Sequence, residues 1–159
     1  MTAAASPPTP TPTPTPTSAA DLPLSARRLG HAGLLPFLFG AALVWLVRED
    51  AHPYTTLAMS AYAAVVISFL GGIHWGLAFR HAEPPLALLV WGVVPSLVAW
   101  VAVMMPPSAG LVVHGAMLVA CYAVDRRVYV AEGVARWLTL RFRLSAVAAL
   151  SCFVAAAGT

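Results

Sequence analysis

His74 is the residue whose chemistry stands out, because it is an ionisable side chain well inside an apolar run, Ser68–Ala78 (SFLGGIHWGLA). The apolar block around it is long enough to cross a bilayer. Ionisable groups at membrane depth are rare, since removing them from water costs free energy, and they are candidate functional residues by default. An imidazole can exchange a proton near neutral pH or ligate a metal through a ring nitrogen.

Residues that complete a site with His74 must lie at the same depth in the bilayer. With a rise of about 1.5 Å per residue, His74 lies about 7 Å inside the nearer end of its helix. His31 and Asp125, at the ends of two other apolar blocks, are at a similar level, and Trp75 and Trp91 are close to it. These five residues are the candidate inner-leaflet polar site, although equal depth does not show that their helices adjoin.

Three interpretations of His74 stay open from the sequence. It is a neutral imidazole hydrogen-bonded across a helix interface, a proton-handling or small-ligand site, or a ligand of haem or another metal. No His-x3-His pair supports the last interpretation, and Cys121 and Cys152 match no metal-binding spacing. We therefore expect no metal and no cofactor, with haem or quinone binding as an alternative.

The sequence contains no pattern typical of an enzyme. It has no nucleophile motif and no carboxylate pair. Gly71–Gly72 lies inside an apolar helix, not between a strand and a helix, where a phosphate-binding loop would be. Only six residues are acidic, so general acid–base chemistry would fall to histidine or to Asp125. We predict that the protein is not an enzyme.

The composition predicts that a membrane bundle positions these residues. Of 159 residues, 60% are hydrophobic and 9% are charged, whereas soluble domains have about 25% charged residues. The apolar residues form blocks close to the roughly 20 residues that span a bilayer. The predicted fold class is all-α, a polytopic membrane protein with a five-helix transmembrane bundle in residues 28–159. The predicted spans are about 29–47, 55–79, 86–105, 109–124 and 140–157.

Residues 1–27 form the predicted N-terminal tail. Thr and Pro alternate from Thr9 to Thr17, and proline at every second position removes backbone donors and fixes φ. We expect a disordered or polyproline-II-like cytoplasmic leader.

Small residues recur at every fourth position along the second predicted span: Ser60, Ala64, Ser68, Gly72 and Gly76. Such a row lets another helix approach closely where lipid provides no hydrophobic drive. His74 lies about 200° around the helix from Gly72, so the row is separate from the polar site, and Gly71 is the glycine on the histidine's face. We predict a helix-packing ridge, used within the bundle or against a partner.

All nine basic residues are arginines, and their positions predict the orientation of the chain. Five spans put eight of them on the side of the N-terminus and only Arg48 on the other side. Positive residues favour the cytoplasmic side. We therefore predict a bacterial inner-membrane protein with a cytoplasmic N-terminus and a periplasmic C-terminus. Arginines at helix ends do not make the solvated basic face of a nucleic-acid-binding protein. The expected partners are the lipid bilayer and other membrane proteins or further copies of the chain.

Four segments resemble a known family: Gly33–Phe37, Ser68–Gly76, Trp91–Leu97 and Leu140–Leu144. Over about residues 29–155 the chain resembles the small bacterial and mitochondrial multi-pass proteins related to transmembrane protein 69, which have a domain of unknown function. The resemblance implies an integral inner-membrane protein and brings no catalytic residue with it.

From these features we predict a structural or accessory membrane protein that packs through its second helix and assists the assembly or stability of a larger complex. One alternative is a small transporter or proton-linked channel that uses His74, with Asp125 or His31 as a relay. Another is a haem- or quinone-binding membrane protein.

Overall fold

The structure, a computed structural model, describes residues 22–159, which fold into helices joined by short connections. No β-strand occurs in that range. The α-helices are α1 (Leu24–Ala32), α2 (Leu35–Leu46), α3 (His52–Ala78), α4 (Leu86–Val103), α5 (Pro107–Ala131) and α6 (Leu138–Ala157). Two 3₁₀ turns, Glu49–Ala51 and Ala135–Trp137, lead into α3 and α6.

Five helical segments in the described range are long and apolar enough to cross a membrane: Leu24–Leu46, Glu49–Ala78, Leu86–Val103, Pro107–Ala131 and Ala135–Ala157. Large apolar side chains such as Phe39, Phe69 and Leu150 are exposed on their outer sides. Lipid tails, unlike water, accept such a surface. The predicted all-α bundle with five spans is confirmed.

The first span is divided into two helices. α1 ends at Ala32 and α2 begins at Leu35, with Pro36 in the first turn, where backbone N–H groups have no helical partner in any case. None of the residues of α1 is buried, and its main neighbour is α6. Helix α1 already includes Leu24–Arg27, which we had assigned to the tail, and the Thr-Pro repeat lies outside the described residues.

The fourth span extends farther than its apolar block. We predicted residues 109–124, but α5 continues to Ala131 and carries Asp125, Arg126 and Arg127 in its last two turns. The helix turns only one of these charges inward, since Asp125 is 1% exposed while both arginines are exposed. The apolar block alone therefore underestimated the length of α5. The bounds of α3, α4 and α6 differ from the predicted ones by at most three residues.

Helix α3 is central, because it packs against α2, α4 and α5, while α6 packs against α2 and α5. Its backbone comes closest to α4 at Gly71. A Cβ on Gly71 would lie 2.6 Å from the carbonyl oxygen of Gly92, nearer than real Cβ contacts come. The main hydrophobic core draws on α2 to α6. A smaller one, formed by Leu77, Ala78, Leu88 and Tyr129, lies where α3 ends and α4 begins.

The predicted packing ridge does not stay inside the bundle. Ser60 is buried, Ala64 and Ser68 are half-buried, and Gly72 and Gly76 are exposed. A Cβ added to either glycine would meet no atom within 4 Å among the described residues. The prediction is wrong for these two glycines as packing positions within the bundle. A four-residue repeat drifts by about 40° per step around a helix, which carries the row from the interior to the lipid-facing side.

Candidate functional site

Three helices bring an imidazole, a carboxylate and a guanidinium together at one end of the bundle. His74 lies four residues before the end of α3, Asp125 six residues before the end of α5, and Arg141 three residues after the start of α6. The side chains of His74 and Asp125 are 1% exposed and that of Arg141 is 11% exposed. We call these three residues the buried polar cluster.

Arg141 and Asp125 form a buried ion pair. The Arg141 Nε donates to Asp125 Oδ2 at 2.8 Å, and Nη2 donates to the same oxygen. Removing a charge from water is costly unless an opposite charge and hydrogen bonds replace the lost hydration, and the guanidinium supplies both. Arg141 therefore compensates the charge of the Asp125 carboxylate inside the bundle.

His74 faces an acceptor with each of its ring nitrogens. Nδ1 lies 3.3 Å from the carbonyl oxygen of Leu70, one turn back on α3. Nε2 lies 3.4 Å from Asp125 Oδ1, within ion-pair distance but not in hydrogen-bond geometry. A neutral imidazole donates from only one nitrogen and presents a lone pair at the other. The ring lies between a backbone carbonyl oxygen and one oxygen of a buried carboxylate.

Two further polar side chains lie beside the cluster. Tyr129, one turn from Asp125 on α5, is buried and lines a cavity together with Arg141. Ser145, one turn from Arg141 on α6, is buried, and its Oγ has no hydrogen-bond partner in the part of the chain that the structure describes. Residues 22–159 contain no group of three or more His, Cys, Asp or Glu side chains able to bind a metal ion. The cluster places an imidazole beside a buried carboxylate–guanidinium pair.

The structure brings His74 and Asp125 together, as equal depth allowed, and leaves His31 out. The His31 side chain is exposed, and its Nδ1 lies 2.7 Å from the Arg27 carbonyl oxygen of its own helix. The proposed cluster of His31, His74 and Asp125 is therefore wrong in its first member. The reason is the position of α1, which has no buried residue and contacts the rest of the bundle mainly through α6.

Trp75 and Trp91 serve helix packing. The Trp75 indole lies over Gly92, where a Cβ would collide with the ring, and its Nε1 donates to the Leu89 carbonyl oxygen at 3.0 Å. Trp91 packs against the main core, and its Nε1 has no hydrogen-bond partner in residues 22–159. Trp75 thus joins α3 to α4 on a different face from the one that carries His74.

Arg141 is the cluster residue that sequence reasoning missed. The positive-inside count included Arg141 only as one of the eight arginines on the N-terminal side. The available signal was Asp125, since an acidic residue at membrane depth requires a cation close to it. Three arginines follow Arg127 in the chain, Arg136, Arg141 and Arg143, and only the helical phase of α6 selects Arg141.

The relatives of this chain are transmembrane proteins by name. A family model described as protein of unknown function (DUF3429) matches residues 22–157. Transmembrane protein 69 of Xenopus tropicalis is 40% identical over 87 residues, which are 53% of this chain and 34% of that protein. Transmembrane protein 69 of Mus musculus is 31% identical over 87 residues, which are 53% of this chain and 35% of that protein. The match thus spans about a third of the length of these relatives, and no solved structure matches the chain.

Proposed function

This chain belongs to the family described as protein of unknown function (DUF3429), and we propose that it is a non-enzymatic accessory protein that binds another membrane protein through α3. Family membership and five apolar helices establish a multi-pass membrane protein and leave its activity open. The observation that carries the proposal is the pair of exposed glycines on α3, Gly72 and Gly76.

These two glycines weaken α3 and have no packing role inside the bundle. A glycine in a helix interior destabilises the helix by about 0.5–1 kcal/mol relative to alanine, and neither glycine has an atom within 4 Å of the position of an added Cβ. Phe69 and Phe79 are exposed, and each lies three residues from one of these glycines, so this side of α3 faces lipid.

The occupant that this face fits is a transmembrane helix with small residues on its own facing side. In lipid no hydrophobic force drives helices together, and association depends on close van der Waals contact, which glycine permits. Phe69 and Phe79 would then border the contact and bury more apolar surface around it.

The buried polar cluster supports a fixed role and not a reactive one. It ties α3 to α5 and α6, and a substrate could not reach His74 or Asp125 without parting the helices, since both side chains are 1% exposed. A fixed rotation of α3 keeps Gly72 and Gly76 turned towards lipid.

We place the protein in a bacterial inner membrane with the N-terminus in the cytoplasm. Support comes from the arginines at the end where α1 begins, α3 ends and α6 begins: Arg27, Arg28, Arg80, Arg126, Arg127, Arg136, Arg141 and Arg143. The opposite end has Arg48 alone, and cytoplasmic segments are enriched in basic residues. Alkaline phosphatase fused after Thr159 is expected to be active, since that enzyme folds only outside the cytoplasm; an inactive fusion that is well expressed would reverse the orientation.

The decisive experiment replaces the glycine face and measures partner recovery. Gly72→Leu/Gly76→Leu and the unchanged chain are purified gently from native membranes, and co-purifying proteins are identified by mass spectrometry. The matched control is Ala116→Leu/Ala123→Leu, which enlarges two exposed small residues on α5. We expect a membrane protein that accompanies the unchanged chain and the control but not the glycine variant.

Two results would reject this proposal. One is equal recovery of the partner by all three chains. The other is an unchanged chain that purifies alone as a monomer. A stoichiometric homodimer that the glycine variant abolishes would replace the heterologous partner by a second copy of the chain.

A proton-linked channel or transporter is the second candidate, favoured by the two acceptors that face the ring nitrogens of His74. Its test is proton flux into liposomes that contain the purified protein and an internal pH-sensitive dye. Flux that His74→Gln abolishes and Gly72→Leu/Gly76→Leu retains would favour transport. Liposomes no leakier than protein-free ones would remove this candidate.

A further inference from the structure

We propose that the arginine-rich end of the bundle binds an anionic phospholipid, with the phosphate between α1 and α6 and an acyl chain in the adjoining apolar cavity. The site is distinct from the glycine face of α3, and the inference does not depend on the accessory role.

The phosphate position is a basic pocket of about 220 Å³. Its walls are formed by Leu22, Arg27, His31, Arg136, Thr139, Leu140 and Arg143. None of its three arginines has a carboxylate within 4.0 Å in residues 22–159, where the ion pairs involve other cations. Guanidinium groups match the geometry of phosphate oxygens and bind them through paired hydrogen bonds.

The acyl-chain position is a cavity of about 500 Å³ that shares Leu140 with the basic pocket. This volume lies within the roughly 300–1,000 Å³ typical of ligand cavities. Its walls are mostly apolar, with Leu29, Phe69 and Leu144 among them. Arg141, whose charge is paired with that of Asp125, is the one charged residue on those walls. Both parts of the site therefore favour an anion or an apolar chain and present no negative charge.

The position of the site in the bundle favours a lipid over a free anion. α1 carries Arg27 and Arg28 beside Leu24 and Leu29 and has no buried residue, as expected for an amphipathic helix at the membrane interface. Trp137, which lines the apolar cavity, precedes α6 directly, and tryptophan prefers the headgroup level. A phosphate bound here would have an apolar cavity beside it at Leu140, and basic pockets between helices are known to take anionic headgroups.

The test measures retention of defined lipids by the full-length protein in detergent, using native mass spectrometry and thermal unfolding. Dioleoyl phosphatidylglycerol is the anionic probe and dioleoyl phosphatidylcholine the zwitterionic one. The pocket variant is Arg27→Gln/Arg136→Gln/Arg143→Gln. The control is Arg80→Gln/Arg126→Gln/Arg127→Gln, which removes the same charge from exposed arginines at the same end that do not line the pocket.

We expect phosphatidylglycerol, but not phosphatidylcholine, to remain bound and to raise the melting temperature. The pocket variant should bind phosphatidylglycerol about 100-fold more weakly, since each arginine that donates directly to the phosphate contributes about fivefold. The exposed control arginines should change binding by no more than about threefold. Arg143→Gln alone should weaken binding about fivefold, and it keeps the test decisive if the triple variant is poorly expressed.

A second arm distinguishes a lipid from a free phosphate. Ala26→Trp places an indole in the apolar cavity and should weaken phosphatidylglycerol binding while the arginines remain. Inorganic phosphate at millimolar concentration should not raise the melting temperature. The proposal is overturned if the two lipids bind equally, if the pocket variant and its control behave alike, or if inorganic phosphate protects as well as the lipid.

Discussion

Replacing Arg141 with methionine would leave the Asp125 carboxylate inside the bundle without its guanidinium. Asp125 is 1% exposed, so water cannot take over the lost hydrogen bonds without opening the helices. Removing one partner of a buried ion pair costs about 3–5 kcal/mol of the free energy of unfolding. We expect the loss of stability to lie at the lower end of this range, because the Nε2 of His74 lies 3.4 Å from the other carboxylate oxygen. The imidazole leaves the carboxylate one polar neighbour. We therefore expect a loss of about 3 kcal/mol for Arg141→Met and a larger loss for Arg141→Met/His74→Phe.

Removing both charges distinguishes the contribution of the ion pair to stability from that of side-chain packing. Asp125→Leu/Arg141→Met replaces the pair by apolar side chains, an exchange that is often neutral or stabilising for buried pairs. We expect this double variant to be more stable than Arg141→Met by about 2 kcal/mol. The measurement is reversible unfolding in mixed micelles of increasing sodium dodecyl sulfate content, followed by circular dichroism and analysed as a double-mutant cycle. Arg143→Gln is the matched control, since this arginine is exposed on α6 only two residues away, and it should change stability by less than about 0.5 kcal/mol.

Either of two outcomes would contradict a stabilising ion pair between Asp125 and Arg141. Arg141→Met could change stability no more than Arg143→Gln does, in which case the pair contributes no compensation. Alternatively, the losses of Asp125→Leu and Arg141→Met could simply add in the double variant, in which case the two charges are not coupled.

Three further predictions follow from single positions. Gly71→Ala should destabilise the bundle by about 1–3 kcal/mol, because its Cβ would lie 2.6 Å from the Gly92 carbonyl oxygen. Gly72→Ala, one residue on and with open space around it, should stabilise the isolated protein by up to about 1 kcal/mol, and thermal melts that fail to separate the two variants would contradict this packing. Trp75→Phe removes the hydrogen bond to the Leu89 carbonyl oxygen and should cost about 0.5–1.5 kcal/mol, whereas an unchanged melting temperature would show that the bond contributes nothing. Cys121 and Cys152 are 1% and 0% exposed, so a maleimide should label them only after unfolding, and rapid labelling of the folded protein would place them elsewhere.

The sequence was sufficient for the architecture because bilayer thickness imposes a local length requirement. Each span shows as an apolar block that must be near membrane length, and the first four blocks are ended by charges or prolines. Apolar length predicted the wrong end for α5, where the helix continues past the apolar block to Ala131. Backbone hydrogen bonding, not hydropathy, sets where a helix stops.

The sequence predicted the depth of the candidate site in the membrane, but it did not predict which residues form the site. Counting residues from the helix ends placed His74 and Asp125 at one level, and the structure has them in contact at 3.4 Å. The same counting included His31, which lies on α1, a helix with no buried residue. Sequence spacing reports height along a helix axis well, but it does not report which helices are neighbours.

By itself, the sequence determined that this chain is a five-span membrane protein, since apolar length and charge placement are properties of each segment alone. Only the tertiary structure decided which face of each helix turns inward. It selected Arg141 over Arg143 as the partner of Asp125, and Gly71 over Gly72 as the contact with α4. Neighbouring residues on a helix point about 100° apart, so a small rotation of one helix against the others exchanges a buried contact for a lipid-facing one.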